Sequence, residues 1–193
     1  SGEGDKCVSV LDAFQERAAQ GGFSVVHAQG CDITGTSTTG FAEAEQAGRA
    51  SDIIVVVVGE NRDMSGEAAA RADISLPGVQ EQLVEALVAT GKPVVVVLMN
   101  GRPLTIPWIA EHAAAIVEAW WPGTMGGPAI ADVLTGDYNP SAKLTMTFPR
   151  TLGQVPIFYS QKNTGRPYDP NTKWNSRYLD VPNSPQYPFG FGL

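Results

Sequence analysis

The amino-acid sequence predicts an α/β protein: a doubly wound three-layer α/β/α sandwich on a mostly parallel sheet, with an antiparallel edge strand and an extended C-terminal arm. Three observations carry this. The runs Ile53–Val58 and Val94–Met99 are apolar at every position, so both faces of each strand must be covered. A segment with helical apolar spacing lies between them, and such alternation gives layered α/β folds. Both runs end abruptly in polar loops, Gly59-Glu60 and Asn100-Gly101. In open parallel sheets, ligands bind outside the carboxyl ends of the strands.

Taken in order, residues 7–20 carry Val8, Leu11, Phe14 and Ala18 at helical spacing, and Gly21-Gly22 stops that helix. Residues 23–28 read as a strand, and 30–40, rich in Gly, Ser and Thr, as a loop. Residues 41–50 form a second helix, followed by strand 52–58 and the acidic loop. Pro77-Gly78 opens a third helix, where proline is tolerated, with Val79, Leu83, Ala86 and Leu87 as its buried stripe. Gly91 ends it, and Lys92-Pro93 leads into the second apolar run. Asn100-Gly101-Arg102-Pro103 is a sharp turn. Residues 113–119 form a further strand, broken by Trp120-Trp121-Pro122-Gly123, and 127–134 a short helix. Residues 143–148 alternate as an exposed edge strand before Pro149. From Thr151 the chain is rich in Pro, Asn, Tyr and Gly and reads as an arm ordered by packing on something else. The expected division is a sandwich domain over 1–150 and an arm over 151–193. A helix before any strand is odd for this architecture, so one strand is expected to be missing from the front. Both ends look cut, at Ser1-Gly2-Glu3 and at Gly190-Phe191-Gly192-Leu193.

The 193 residues suffice for one domain with a sizeable core, and the formal net charge is -7. That charge argues against nucleic acid as a partner, because a phosphate-tracking surface is basic. No window approaches the ~20 continuous apolar residues of a membrane helix, so no membrane insertion is expected. Cys7 and Cys31 are two isolated thiols or one optional bridge, and they leave the compartment open. His27 and His112 lie in unrelated contexts, and no Cys/His spacing suits a metal. No metal or cofactor is expected.

Glu67, in Ser65-Gly66-Glu67, is open to two readings. A carboxyl in a partly dry cleft can serve as general acid. It can also be a solvated loop residue paired with Arg71 or Arg62. Glu60, directly on the strand end, is read as fixing the loop through backbone amides or Arg62. Asp63 and Asp73 read as loop and turn formers. Gly-x-Ser-x-Gly is absent and Ser65 has no nearby histidine, so no serine nucleophile stands out. Gly123-Thr124-Met125-Gly126-Gly127 lacks the dinucleotide spacing, although a helix start there could attract a phosphate. Trp108, Trp120, Trp121 and Trp174 suit either sugar stacking or packing, with packing favoured for Trp120.

Longer motifs add a resemblance. Gly59-Glu60, Ser65-Gly66-Glu67-Ala68 and Arg71-Ala72-Asp73-Ile74 through Gln80 occur in order. Lys92-Pro93 through Pro103, Trp121-Pro122-Gly123 through Gly127 and Ala129 through Leu144 follow. Thr147-Phe148-Pro149-Arg150, Asn163-Thr164-Gly165-Arg166-Pro167 and Tyr187 through Leu193 complete the series. Together they resemble the second domain of family 3 glycoside hydrolases, in the branch of periplasmic or secreted bacterial β-glucosidases. Met125 departs from the Glu or Gln frequent between those glycines.

The resemblance implies a retaining, exo-acting β-glucosidase acting on terminal β-D-glucosyl residues, with β-xylosidase or exo-β-glucanase as alternatives within the family. A (β/α)8 barrel, in the same protein or a companion chain, would supply the aspartate nucleophile and most of the sugar pocket. Retaining chemistry needs two carboxyl groups about 5–5.5 Å apart. This chain would supply the second, Glu67 as general acid/base, with Glu60 as runner-up and with Ser65 and Met64 lining the sugar. Alone it would be inactive. The chain would act on a β-glucoside or oligosaccharide in the periplasm or outside the cell. A sheet lacking a strand also suggests a homo-oligomer. The competing reading is a non-catalytic module that binds a glycan or a partner.

Overall fold

The computed structural model describes residues 6–193. In chain order its elements are α1 (Val10–Ala19), α2 (Phe41–Arg49), β1 (Ile54–Gly59), α3 (Gln80–Val88), β2 (Val94–Met99), α4 (Pro107–His112), β3 (Ala115–Glu118) and α5 (Gly126–Thr135), followed by a short 3₁₀ turn, Leu152–Gln154. Among the described residues the sheet has three strands in the order β1-β2-β3, all parallel.

Alternation sorts the strand residues into two cores. Ile54, Val56, Val58, Val94, Val96 and Leu98 face α2, α3 and α4, where Leu83, Val84, Leu87 and Ile109 meet them. Val97 faces the other way, against Val10 of α1 and Ile130 of α5. Neighbours Val96 and Val97 are both fully buried, so the central strand is covered on each face, as its composition requires. Each such side chain adds about 1.5–3 kcal/mol of burial. The three-layer sandwich is therefore present, and it is best formed around β2.

Local chemistry fixes the helices. Ser9 caps α1: its hydroxyl accepts from the Asp12 N–H at 3.0 Å while the Asp12 carboxylate accepts from the Ser9 N–H. Arg17 then joins α1 to α5 through Asp132 and Asp137. Where α5 starts, a Cβ on Gly127 would collide with the main-chain oxygens of Val8 and Ser9. Gly127, in the first turn of α5, thus permits a close approach of the chain leading into α1. No disulfide joins Cys7 to Cys31.

Two expected strands are corrected. Residues 23–28 form no strand, and Phe23 and Val26 lie exposed. A strand needs a neighbour, and among the described residues none lies beside this segment. The alternating segment 143–148 does not join the sheet. It meets the C-terminal end instead: Leu144 N–H donates to Phe191 O at 2.8 Å, and Phe148 makes an isolated antiparallel bridge with Tyr187. Helix α4 was not anticipated, since six residues starting on Pro107 are too few to show a period.

One buried polar side chain closes the carboxyl end of β1. Gln80, at the start of α3, accepts from the Gly59 N–H at 2.8 Å and donates to Gly59 O at 2.8 Å. Its amide nitrogen also reaches Ile33 O and Pro77 O. Gln80→Ala should strand two buried main-chain groups and cost about 2–3 kcal/mol. Urea unfolding of the polypeptide containing this domain measures it; an unchanged midpoint would count against this role.

Candidate active site

Parallel register brings three strand ends to one rim. Gly59 lies beside Met99, and Leu98 beside Glu118. The ladder runs one step further: Glu60 N–H donates to Met99 O at 2.8 Å and Ala119 N–H to Leu98 O at 2.9 Å. The rim is therefore made by Glu60, Asn100-Gly101 and the segment after Glu118.

The Glu60 side chain has no exposed surface. Arg71 Nη1 lies 2.8 Å from Oε1, and Arg102 Nε lies 2.9 Å from the same oxygen, an ion pair by proximity rather than a straight hydrogen bond. Gly101 N–H donates to Oε2 at 3.1 Å. Both oxygens of Glu60 are thus buried and engaged by protein groups. Glu60 does fix the loop, as read from the sequence, but through Arg71, Arg102 and Gly101. Arg62 instead lies exposed beside Asp63.

The arginines carry this anchorage into the loop. Arg71 Nη2 donates to Ser75 O at 3.0 Å. Arg102 Nη2 donates to Met64 O and reaches Ala69 O at 3.4 Å. Between those two carbonyls the chain makes a tight turn, with Ala69 N–H donating to Gly66 O at 3.2 Å and Ala68 at φ 59°. Glu67 sits on that turn, exposed. Met64 and Ser65 are half-buried beneath it. Met64 joins the clamp through its carbonyl. Ser65 lies against Gly101, where a Cβ would collide with the Ser65 hydroxyl and fall 2.6 Å from Trp121 Nε1.

A second carboxyl was not anticipated. Glu118 ends β3, accepts from the Trp120 N–H at 3.0 Å and lies 3.4 Å from the Asn100 amide nitrogen. Burial pushes its pKa up to about 7, against the opposing pull of those two donors. Asn100 is fully buried; its amide donates to Arg102 O at 2.7 Å, and its oxygen has no partner. The signal for Glu118 was a charge at the end of an otherwise apolar run, Ala115-Ile116-Val117-Glu118. Trp120, at φ 50°, packs on Phe148, whereas Trp121 is exposed at the rim. Trp108 stacks on His112, and Trp174 lies exposed under Lys173.

The family model for the glycosyl hydrolase family 3 C-terminal domain matches residues 1–193. This chain belongs to that family. The family-3 chain is 56% identical over 153 residues to a periplasmic beta-glucosidase of Salmonella typhimurium, covering 78% of this chain and 20% of that protein. It is 46% identical over 186 residues to a beta-xylosidase of Formosa agariphila, covering 96% and 25% respectively. A solved beta-glucosidase of Listeria innocua, in complex with glucose, superposes with a TM-score of 0.91 at 40% identity, covering all of this chain and 26% of that one. The chain thus spans about a quarter or less of the length of these relatives. Among the described residues, no helix is long and apolar enough to cross a membrane.

In this family-3 domain Glu118 makes stability depend on pH. The folded state holds its proton up to about pH 7, while an unfolded glutamate releases it near 4.5. The folded chain binds more protons in that window, so stability falls as pH rises through it. Glu118→Gln should flatten the decline and leave the variant more stable above pH 7, by about 1–3 kcal/mol. Thermal unfolding of both proteins at about pH 5 and pH 8 reads the difference; parallel curves would refute it.

Proposed function

We propose that this domain supplies the general acid/base of a retaining, exo-acting β-glucosidase, and that Glu67 is that residue. The observation behind the reading is the division between the rim glutamates. Glu60 is buried and fully engaged, while Glu67 is exposed on a turn that Glu60 and Arg102 tie to the sheet.

In this reading a (β/α)8 barrel segment, in the same polypeptide or a companion chain, faces the rim and carries the nucleophilic carboxylate. That carboxylate attacks the anomeric carbon while the Glu67 proton passes to the departing glycosidic oxygen. The resulting Glu67 carboxylate then takes a proton from the water that releases the sugar. Ser65 and Met64 lie beside the cleft. The substrate class is terminal β-D-glucosides, with xylosides and short β-glucans as neighbouring possibilities, in keeping with the names of the relatives. The periplasm, or export beyond it, is the proposed location, after the Salmonella relative.

Partner contact rests on exposed apolar surface. Ile53 and Val57 of the β1 region, Phe23 and Val26 of the unpaired segment, and Tyr159, Trp174 and Leu179 of the arm over 151–193 all lie open. The proposed cover is a further strand beside β1 and a neighbouring domain on the arm. The chain alone should therefore self-associate, as a homo-oligomer or less ordered species. A monodisperse monomer in light scattering would oppose this.

The function is tested in the full-length polypeptide containing this domain. It should hydrolyse an aryl β-glucoside, and Glu67→Gln should lower kcat/KM for an unactivated glucoside roughly 100-fold or more. Full activity in the variant would remove Glu67 from the chemistry and leave the non-catalytic binding module as the better reading.

A further inference from the structure

We propose that the Gly101-Arg102 turn is the positioning element for Glu67, an inference that rests on the reading of Glu67 as proton donor. The loop from Glu60 to Ser75 has no helix or regular strand of its own. Its path is set from outside. One guanidinium, that of Arg102, meets two of its carbonyls, Met64 O and Ala69 O, one on each side of Glu67. The turn between them holds Ala68 at φ 59°, a conformation that an L-residue with a Cβ resists. Such a turn keeps its shape only where its surroundings impose it.

The anchor is rigid at its other end. Arg102 stands three residues after the end of β2, and its Nε lies 2.9 Å from the buried Glu60 carboxylate. The same carboxylate accepts from Gly101 N–H. Gly101 lets the loop sit down on this turn, since any Cβ there would collide with Ser65 Oγ. The chain of contacts runs from the β1–β2 ladder through Glu60 and Arg102 to the main chain around Glu67. Arg102 touches no reacting atom in this scheme. It fixes where the proton donor stands.

The distinction is measurable because proton donation matters only when the leaving oxygen needs it. A dinitrophenyl glucoside departs unaided in the first step, whereas a phenyl glucoside requires the proton. Arg102→Lys keeps the charge but loses the planar group that meets the loop carbonyls through Nη2 while its Nε stays on Glu60. In the full-length polypeptide, this variant should lower kcat/KM for the phenyl glucoside roughly 10- to 100-fold and that for the dinitrophenyl glucoside no more than about threefold. Gly101→Ala, which alters no charge, should give the same signature by lifting Ser65; it decides the matter if Arg102→Lys does not fold. Glu67→Gln is the reference. If Glu67→Gln shows no leaving-group dependence, the reading of Glu67 itself fails. If it does, and the turn variants lose equally on both substrates or not at all, the turn is merely structural and this inference is overturned.

Discussion

The rim depends on one buried ionic contact, the Glu60 carboxylate between Arg71 and Arg102. A carboxylate removed from water without partners costs several kcal/mol, so it persists only where opposite charge and donors surround it. Here two guanidinium groups and the Gly101 N–H do so. Both arginines are themselves largely covered, which leaves little solvent to screen the pair. The position follows from strand register. Gly59 pairs with Met99, so the next residues of the two strands are neighbours, and a glutamate on one meets the turn on the other. The clamp is thus an extension of the sheet into side-chain chemistry.

The sheet itself is unevenly protected. At its centre, β2 is covered by both helical layers. β1 has a strand neighbour on one side only among the described residues, and Val57 is exposed on the face where α1 and α5 pack. Gln80 answers the unpaired backbone at the carboxyl end of β1 with its own amide, next to the rim. Backbone groups are therefore well satisfied at the rim end of β1. Along the outer edge, exposed apolar side chains and open main-chain groups invite another strand.

Much of this was legible in the chain, for a definable reason. Strand composition writes itself into sequence, so Ile53–Val58 and Val94–Met99 announced their strands, although only the second is covered on both faces here, and the stripe of Leu83 and Leu87 announced α3. Pairing does not write itself in the same way. Residues 23–28 have strand composition, yet a strand also needs a neighbour. Residues 143–148 alternate, yet their partner is the chain end rather than the sheet. Polar partners are equally hidden. Glu60 was placed correctly as the loop's anchor, but the choice of Arg71 and Arg102 over the adjacent Arg62 is made by tertiary register. Glu67 was singled out by motif, because an exposed loop glutamate looks the same in sequence whether or not it works.

A proton donor faces two opposed demands. It must be open to a substrate that arrives and leaves, and it must be held to within a fraction of an ångström at reaction. Glu60 satisfies the second demand and fails the first; an untethered loop glutamate would do the reverse. In the proposed role, Glu67 meets both by giving them to different atoms. Exposure belongs to the side chain, while restraint acts on the main chain through Met64 O and Ala69 O. A clamp that grips carbonyls fixes the loop's path whatever side chains the loop carries. Under that proposal, the loop's side chains can change while the proposed donor stays in place, provided that the glutamate beneath and the arginine beside it remain.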